Sequence, residues 1–289
     1  MKLDGRRESS NVDDRRGQSG GIAGIGGMGI GGIIIAAVVT WFMGGNPLDV
    51  LQQVDTSNLN VTEQQTEHEF TPEEQELAKF AKQILAGTED VWTQEFRKMG
   101  RTYEPPKMVL YTGSTPTACG NGSAAMGPFY CSGDQTVYID LSFFMDMKRQ
   151  LGADGDFAYA YVIAHEVGHH VQYLLGFLDK VHGQMSRLPQ AEATKLSVGL
   201  ELQADYYAGV WAHHDNELFG SLEPGDVEEA INCASKIGDD YLQEKARRYS
   251  VPETFTHGTS AQRMKWLKLG LQTGDINRGD TFSPSYKSL

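Results

Sequence analysis

The sequence predicts a mainly helical α+β domain with a small sheet, preceded by a single transmembrane helix. Three observations predict it. No charged residue occurs between positions 17 and 48 of the 289-residue chain. Several later segments repeat apolar residues at helical spacing. Two short runs rich in β-formers, KMVLYT at 107–112 and TVYIDL at 136–141, lie among them.

The chain opens with a dense mixture of charges, including Lys2, Arg6, Arg7, Arg15 and Arg16. Residues 22–43, IAGIGGMGIGGIIIAAVVTWFM, then form an apolar run. Roughly 20 such residues suffice to cross a bilayer as a helix. Glycine is tolerated in membrane helices, and Trp41 suits an interface. A flexible soluble arm is the rival reading. A cleaved signal peptide fits poorly, because the apolar run is long and no Ala-x-Ala site follows it.

The basic flank predicts a single-pass protein of the cell (inner) membrane. Its N-terminus would be cytoplasmic and its main domain periplasmic or extracellular. The expected division is a charged segment at 1–21, a span at 22–43, a linker at 44–70 and a folded domain at 71–289. The linker, rich in Gln, Thr and Asn, offers little to pack. About 220 residues can bury a real core.

Thr71-Pro72-Glu73-Glu74 reads as an N-cap, a proline at the first helical position and a capping glutamate. A helix should run from there to about Met99, with a break at Gly87. Strands follow at 107–112 and 136–141. The second is either a core strand or an edge on which an extended substrate adds through Tyr138 to Asp140. Further helices are expected at 157–177, 191–213, 226–237 and 260–271.

The pentapeptide HEVGH, His165 to His169, lies inside the first of these later helices. Histidines four apart share a helix face, so one cation can take a nitrogen from each. Glu166 sits about 100° round the helix and can reach a water on that ion. Buried among apolar neighbours, these groups cost free energy unless something satisfies them. The arrangement points to one Zn2+ ion and general-base hydrolysis by Glu166.

A catalytic zinc wants three protein ligands and one open position. Glu201-Leu-Gln-Ala-Asp205 supplies a third, with Glu201 as ligand and Asp205, one turn later, holding a ligand histidine. The reverse assignment, Asp205 as ligand and Glu201 as support, stays open. No Gly-x-Ser-x-Gly elbow or Walker loop suggests other chemistry. His170, His182, His213 and His214 are read as surface histidines.

HExxH followed by a helix carrying ExxxD resembles the gluzincin clan of metallopeptidases. More closely, the chain resembles the neutral zinc metallopeptidases of the YpfJ type. KLDGRRESSNVDDRRG, the Gly-rich stretch, ACGNGSAAMGPFYC, VYIDLSFF, HEVGHHVQ, ELQADYYAGVW and HGTSAQR carry the resemblance, from Lys2 to about Arg263. It implies a zincin-like domain and a membrane-anchored zinc peptidase acting on a peptide or protein.

The segment THGTSAQR, Thr256 to Arg263, resembles the His-Pro-x-x-x-x-Arg element of related membrane gluzincins, with Gly258 in place of the proline. The resemblance implies that His257 donates to the oxyanion and that Arg263 pairs with an acid. The plainer alternative is that Thr259 or Ser260 caps the final helix and His257 is a loop residue.

Cys119 and Cys131 bracket a short Gly-rich loop. An oxidising compartment would join them, a bond worth roughly 3 kcal/mol in the chain-entropy picture. Cys233 shares a helix face with Ala230, Ala234 and Ile237 and should be a buried thiol. A net charge of −13 repels phosphates and argues against nucleic-acid binding. Two rival functions remain: a non-catalytic membrane scaffold holding zinc, and a zinc amidase acting on cell-wall peptides.

Overall fold

The computed structural model describes residues 1–17 and 69–283. β1 (Val12–Asp14), β2 (Lys107–Tyr111), β5 (Phe129–Cys131) and β6 (Thr136–Asp140) form one sheet in the order β1-β2-β6-β5. β1, β2 and β6 run parallel, and β5 runs antiparallel to β6. β3 (Ser114–Thr117) and β4 (Gly120–Ser123) form a separate hairpin.

The helices are α1 (Pro72–Lys98), α2 (Ser142–Asp146), α3 (Asp156–Leu174), α4 (Phe177–Met185), α5 (Gln190–Phe219), α6 (Asp226–Lys236), α7 (Asp239–Arg247) and α8 (Ser260–Thr273). α1 begins as its sequence demands. The Thr71 hydroxyl accepts from the Glu74 N–H, and the Glu74 carboxylate accepts from the Thr71 N–H. The Thr259–Gln262 pair starts α8 in the same way. α3 ends three residues short of expectation because Gly176 adopts φ +80°.

α3 is apolar almost all round and forms the centre of the core, between the sheet and α5. Glycines bring the helix backbones together. A Cβ at Gly168 would lie 2.9 Å from the Ala204 carbonyl oxygen, so α3 touches α5 there without an intervening side chain. A Cβ at Gly209 would collide with the Leu267 carbonyl, and one at Gly270 with that of Tyr206, so α5 and α8 also meet backbone to backbone.

Two expectations are corrected, and one open alternative is decided. α1 runs unbroken through Gly87, whose missing side chain makes room for Arg6 and Asp215. β6 is an interior strand, and the edge beside it is β5. Most consequentially, the first residues are not a separate tail. β1 pairs with β2, and the largely covered Arg6 guanidinium forms two hydrogen bonds, 3.0 and 2.7 Å, with the fully buried Asp215. Arg7, Ser9 and Asn11 all bind Glu89.

Residues 22–43, expected to span the membrane, lie outside the described residues. Among the described residues, no helix is long and apolar enough to cross a membrane. A single crossing between Gly17 and Glu69 would put β1 and β2 on opposite sides of a bilayer.

Candidate metal centre

α3 and α5 meet at Gly168 and Ala204, which sets the residues beside that contact face to face. His165 Nε2 lies 3.2 Å from Glu201 Oε2, and His169 Nε2 lies 3.5 Å from Glu201 Oε1. One ligand atom from each of the three residues falls within 4.8 Å of the others.

The remote nitrogens are held as well. His165 Nδ1 donates to Asp205 Oδ1 at 2.8 Å, and His169 Nδ1 donates to Gln172 Oε1 at 2.9 Å. The Gln172 amide is itself fixed, because its Nε2 donates to the Leu200 carbonyl and to Gln203 Oε1. Both imidazoles thus carry hydrogen on Nδ1 and turn Nε2 toward Glu201; on the charged His165 ring an ion would displace the Nε2 proton. This tautomer and donor set fit a tetrahedral zinc with two histidines and one glutamate.

Asp205 stands behind His165 rather than beside the convergence point. It also accepts from the Tyr161 hydroxyl at 2.6 Å and from Arg263 Nε and Nη2, both at 2.9 Å. Both carboxylate oxygens are therefore engaged, and the Arg263 charge neutralises a group wholly out of solvent. Of the two assignments the sequence leaves open, the geometry favours Glu201 at the metal and Asp205 as support.

Burial and charge tune these groups. Burial pushes the Glu166 carboxyl up to about 8, although the His165 charge and the Tyr130 backbone N–H oppose it. Burial lowers His169 to about 4. Burial alone would also lower His165, but Asp205 outweighs it and raises that imidazole to about 10. Asp205 is held at about 2, because Arg263 and His165 overcome its burial. Glu201 falls below the usual carboxylate range, since His257 and His169 offset its burial.

His257 and Arg263 both reach the cleft. The His257 turn differs from a proline-containing one. Gly258 has φ +91°, which proline cannot adopt. The Asp239 carboxylate holds this turn by accepting the N–H groups of His257 and Gly258 at 2.7 and 2.9 Å. The Thr259 capping box forms too, so His257 lines the cleft and also precedes a capped helix.

The cleft encloses about 460 Å³ and is mostly apolar. The β3–β4 hairpin, Phe129, Tyr130, Leu178 and Leu200 line it. The Cys119–Cys131 disulfide ties the hairpin to β5. Cys233 is a buried free thiol, and burial pushes it up to about 12. His170 is fully buried, contrary to expectation; it donates to the Glu104 carbonyl and accepts from the Tyr130 hydroxyl.

Sequence reasoning missed Tyr161, Gln172 and Asp239. The first two were within reach, as Tyr161 lies one turn before His165 and Gln172 three residues after His169. Nothing local marks Asp239.

The profile of the putative neutral zinc metallopeptidases matches residues 1–282. The chain belongs to that family. It is 50% identical to the Uncharacterized protein YpfJ of Escherichia coli over 301 aligned positions, covering 99% of this chain and 100% of that one. It is 44% identical over 191 positions to the Uncharacterized protein Rv2575 of Mycobacterium tuberculosis, covering 63% of this chain and 64% of the relative. The Uncharacterized protein Mb2605 of Mycobacterium bovis matches to the same extent. No solved structure matches. Zinc, a hydrolase and a peptidase are thus supported at the level of the family.

Proposed function

We propose that this chain is a membrane-associated, zinc-dependent endopeptidase. One observation carries the reading: His165, His169 and Glu201 converge at the floor of a cleft, with Glu166 beside them. His165, His169 and Glu201 would hold the ion. When bound, zinc supplies a Lewis acid and brings the pKa of a water close to neutrality.

The protein's own groups do the rest. Glu166 accepts the proton of the attacking water and later passes it to the leaving amine. Tyr130 N–H steadies that carboxylate. His257, held over the cleft by Asp239, donates to the developing oxyanion, a contribution of about 3 kcal/mol where such donors have been removed. Asp205 and Arg263 keep His165 in one tautomer. An extended peptide lies along the edge strand β5 and pairs with its main chain. The apolar wall of the cleft favours apolar side chains next to the scissile bond.

The bilayer is the partner proposed for residues 22–43, because that run is uncharged and apolar; with β1 paired to β2 it would enter the bilayer without a net crossing. Residues 1–17 and 69–283 then occupy one face. The disulfide supports an extracytoplasmic face.

A quenched-fluorescence peptide library tests the activity. The zinc-loaded wild type should cleave it internally, and chelation should stop cleavage. Glu166→Gln should retain zinc and lose turnover by at least three orders of magnitude. A library left intact by the loaded wild type, or cleaved equally by Glu166→Gln, would sink the proposal. Release of fragments only from muropeptides would turn it into an amidase.

A further inference from the structure

A second set of metal donors lies at the other end of α5, about 18 Å along the helix from Glu201 at 1.5 Å per residue. His213, His214 and Glu217 each offer a ligand atom, all within 4.8 Å of one another. Their far nitrogens are already committed. His213 Nδ1 lies 2.8 Å from the Leu271 carbonyl, and His214 Nε2 lies 2.8 Å from the Gly274 carbonyl. A carbonyl only accepts, so both nitrogens carry hydrogen. In the neutral rings, His213 Nε2 and His214 Nδ1 are therefore bare lone pairs.

Both lone pairs face one carboxylate. His213 Nε2 is 3.5 Å from Glu217 Oε1, and His214 Nδ1 is 2.8 Å from Glu217 Oε2. Acceptors brought this close repel unless a cation lies between them. A proton relieves one such pair, whereas a single divalent ion relieves both. Gly274, the left-handed C-cap of α8, clears the space. A Cβ there would sit 2.8 Å from His213 Nε2 and closer still to His213 Cδ2. His214 Nε2 also faces Glu95, 3.4 Å away, which Lys98 already binds.

We propose that His213, His214 and Glu217 form a second divalent-metal site for zinc or another imidazole-loving transition ion. It repeats the donor set of the cleft: two imidazoles with tethered far nitrogens and one glutamate. Glu217 is exposed and the histidines are partly so, which leaves room for water as further ligands. Because the tethers end on α8, an ion here clamps the end of α5 to the end of α8. Those helices carry Glu201, Asp205 and Arg263, so the clamp is structural and lies outside the reacting groups.

Zinc titration of the metal-free full-length chain against a chromophoric chelator, with elemental analysis, tests this. The wild type should bind two ions. Glu217→Ala and His214→Ala should each bind one, with unchanged helical circular dichroism. Addition of zinc should raise the Tm of His169→Ala, which keeps the second site, more than that of the double variant His169→Ala, Glu217→Ala. Equal stoichiometry in wild type, Glu217→Ala and His214→Ala would overturn the proposal. One ion in the wild type and none in His214→Ala would uphold this site and fail the cleft metal instead.

Discussion

Arg263 grips Asp205 through two hydrogen bonds of 2.9 Å, and both side chains are out of reach of solvent. Neither group touches the point where His165, His169 and Glu201 converge. The pair acts through His165, whose Nδ1 hydrogen ends on the same carboxylate.

Removing one side of this pair should be costly. Asp205→Ala leaves the Arg263 charge buried and unmatched, and breaking a buried pair in this way costs about 3–5 kcal/mol. It also frees the His165 ring, and loss of such a support lowers metal affinity about 10–100-fold. Calorimetry and zinc titration read the two effects. Arg263→Lys should lose less stability but still weaken zinc binding, because an ammonium cannot span both oxygens. Unchanged zinc affinity in both variants would mean the pair only packs the core.

Glu166 gives a pH signature in the metal-free protein. Its carboxyl ordinarily ionises near 4.5 and in the fold near 8. The unfolded chain thus loses this proton first. The stability contributed by the neutral form is complete below pH 4.5 and is lost as pH rises through 8. Glu166→Gln cannot ionise and should escape that loss. The two proteins should melt together near pH 4.5, and the variant should melt several degrees higher at pH 8.5. A difference that does not vary with pH would show that the carboxyl is not held neutral.

The partners of the N-terminal arginines are not written in their local sequence. Basic residues before an apolar run point to a cytoplasmic flank. Here Arg6, Arg7 and Arg16 pair with acids of the chain itself, so their charges hold the fold together. β1 is three residues long and β5 another three, too short for a period-2 pattern to register. α7, DDYLQEKAR, is too polar to stand out. By contrast, the metal motif, the capping boxes at Thr71 and Thr259 and the Cys119–Cys131 pair depend on residues close in sequence, and those were legible. The contacts of Asp205 with Tyr161 and Arg263 cross 44 and 58 positions, and no local pattern encodes them.

Arg6→Ala should therefore unfold more than a tail. Asp215 would stay buried without its partner, at a cost of about 3–5 kcal/mol. Thermal melting of the whole domain should shift, not only a local transition. Sidedness follows from the same contacts. Lys2→Cys and Glu253→Cys, both exposed, should react with an impermeant maleimide in intact cells either together or not at all. Labelling of only one would separate β1 from β2 and refute the pairing.

Gly168 offers the strictest test of how the centre is built. It lies between the two histidines, and its Cα carries nothing where α3 meets α5. A methyl there would press on Ala204 through backbone atoms, 2.9 Å from the carbonyl oxygen and 3.1 Å from Cα, and backbone cannot swing aside. Gly168→Ala must therefore push the helices apart. Overpacking of this kind costs about 1–3 kcal/mol, within what a domain of this size survives. Glu201 sits one turn before Ala204 on the displaced helix and would leave the imidazoles. Zinc affinity should fall at least tenfold while helical content persists. Gly183→Ala on α4, where a methyl meets nothing within 4 Å, is the control and should bind zinc as the wild type does. If Gly168→Ala also keeps full affinity, the convergence of His165, His169 and Glu201 does not depend on helix contact, and the centre must be held by its hydrogen bonds alone.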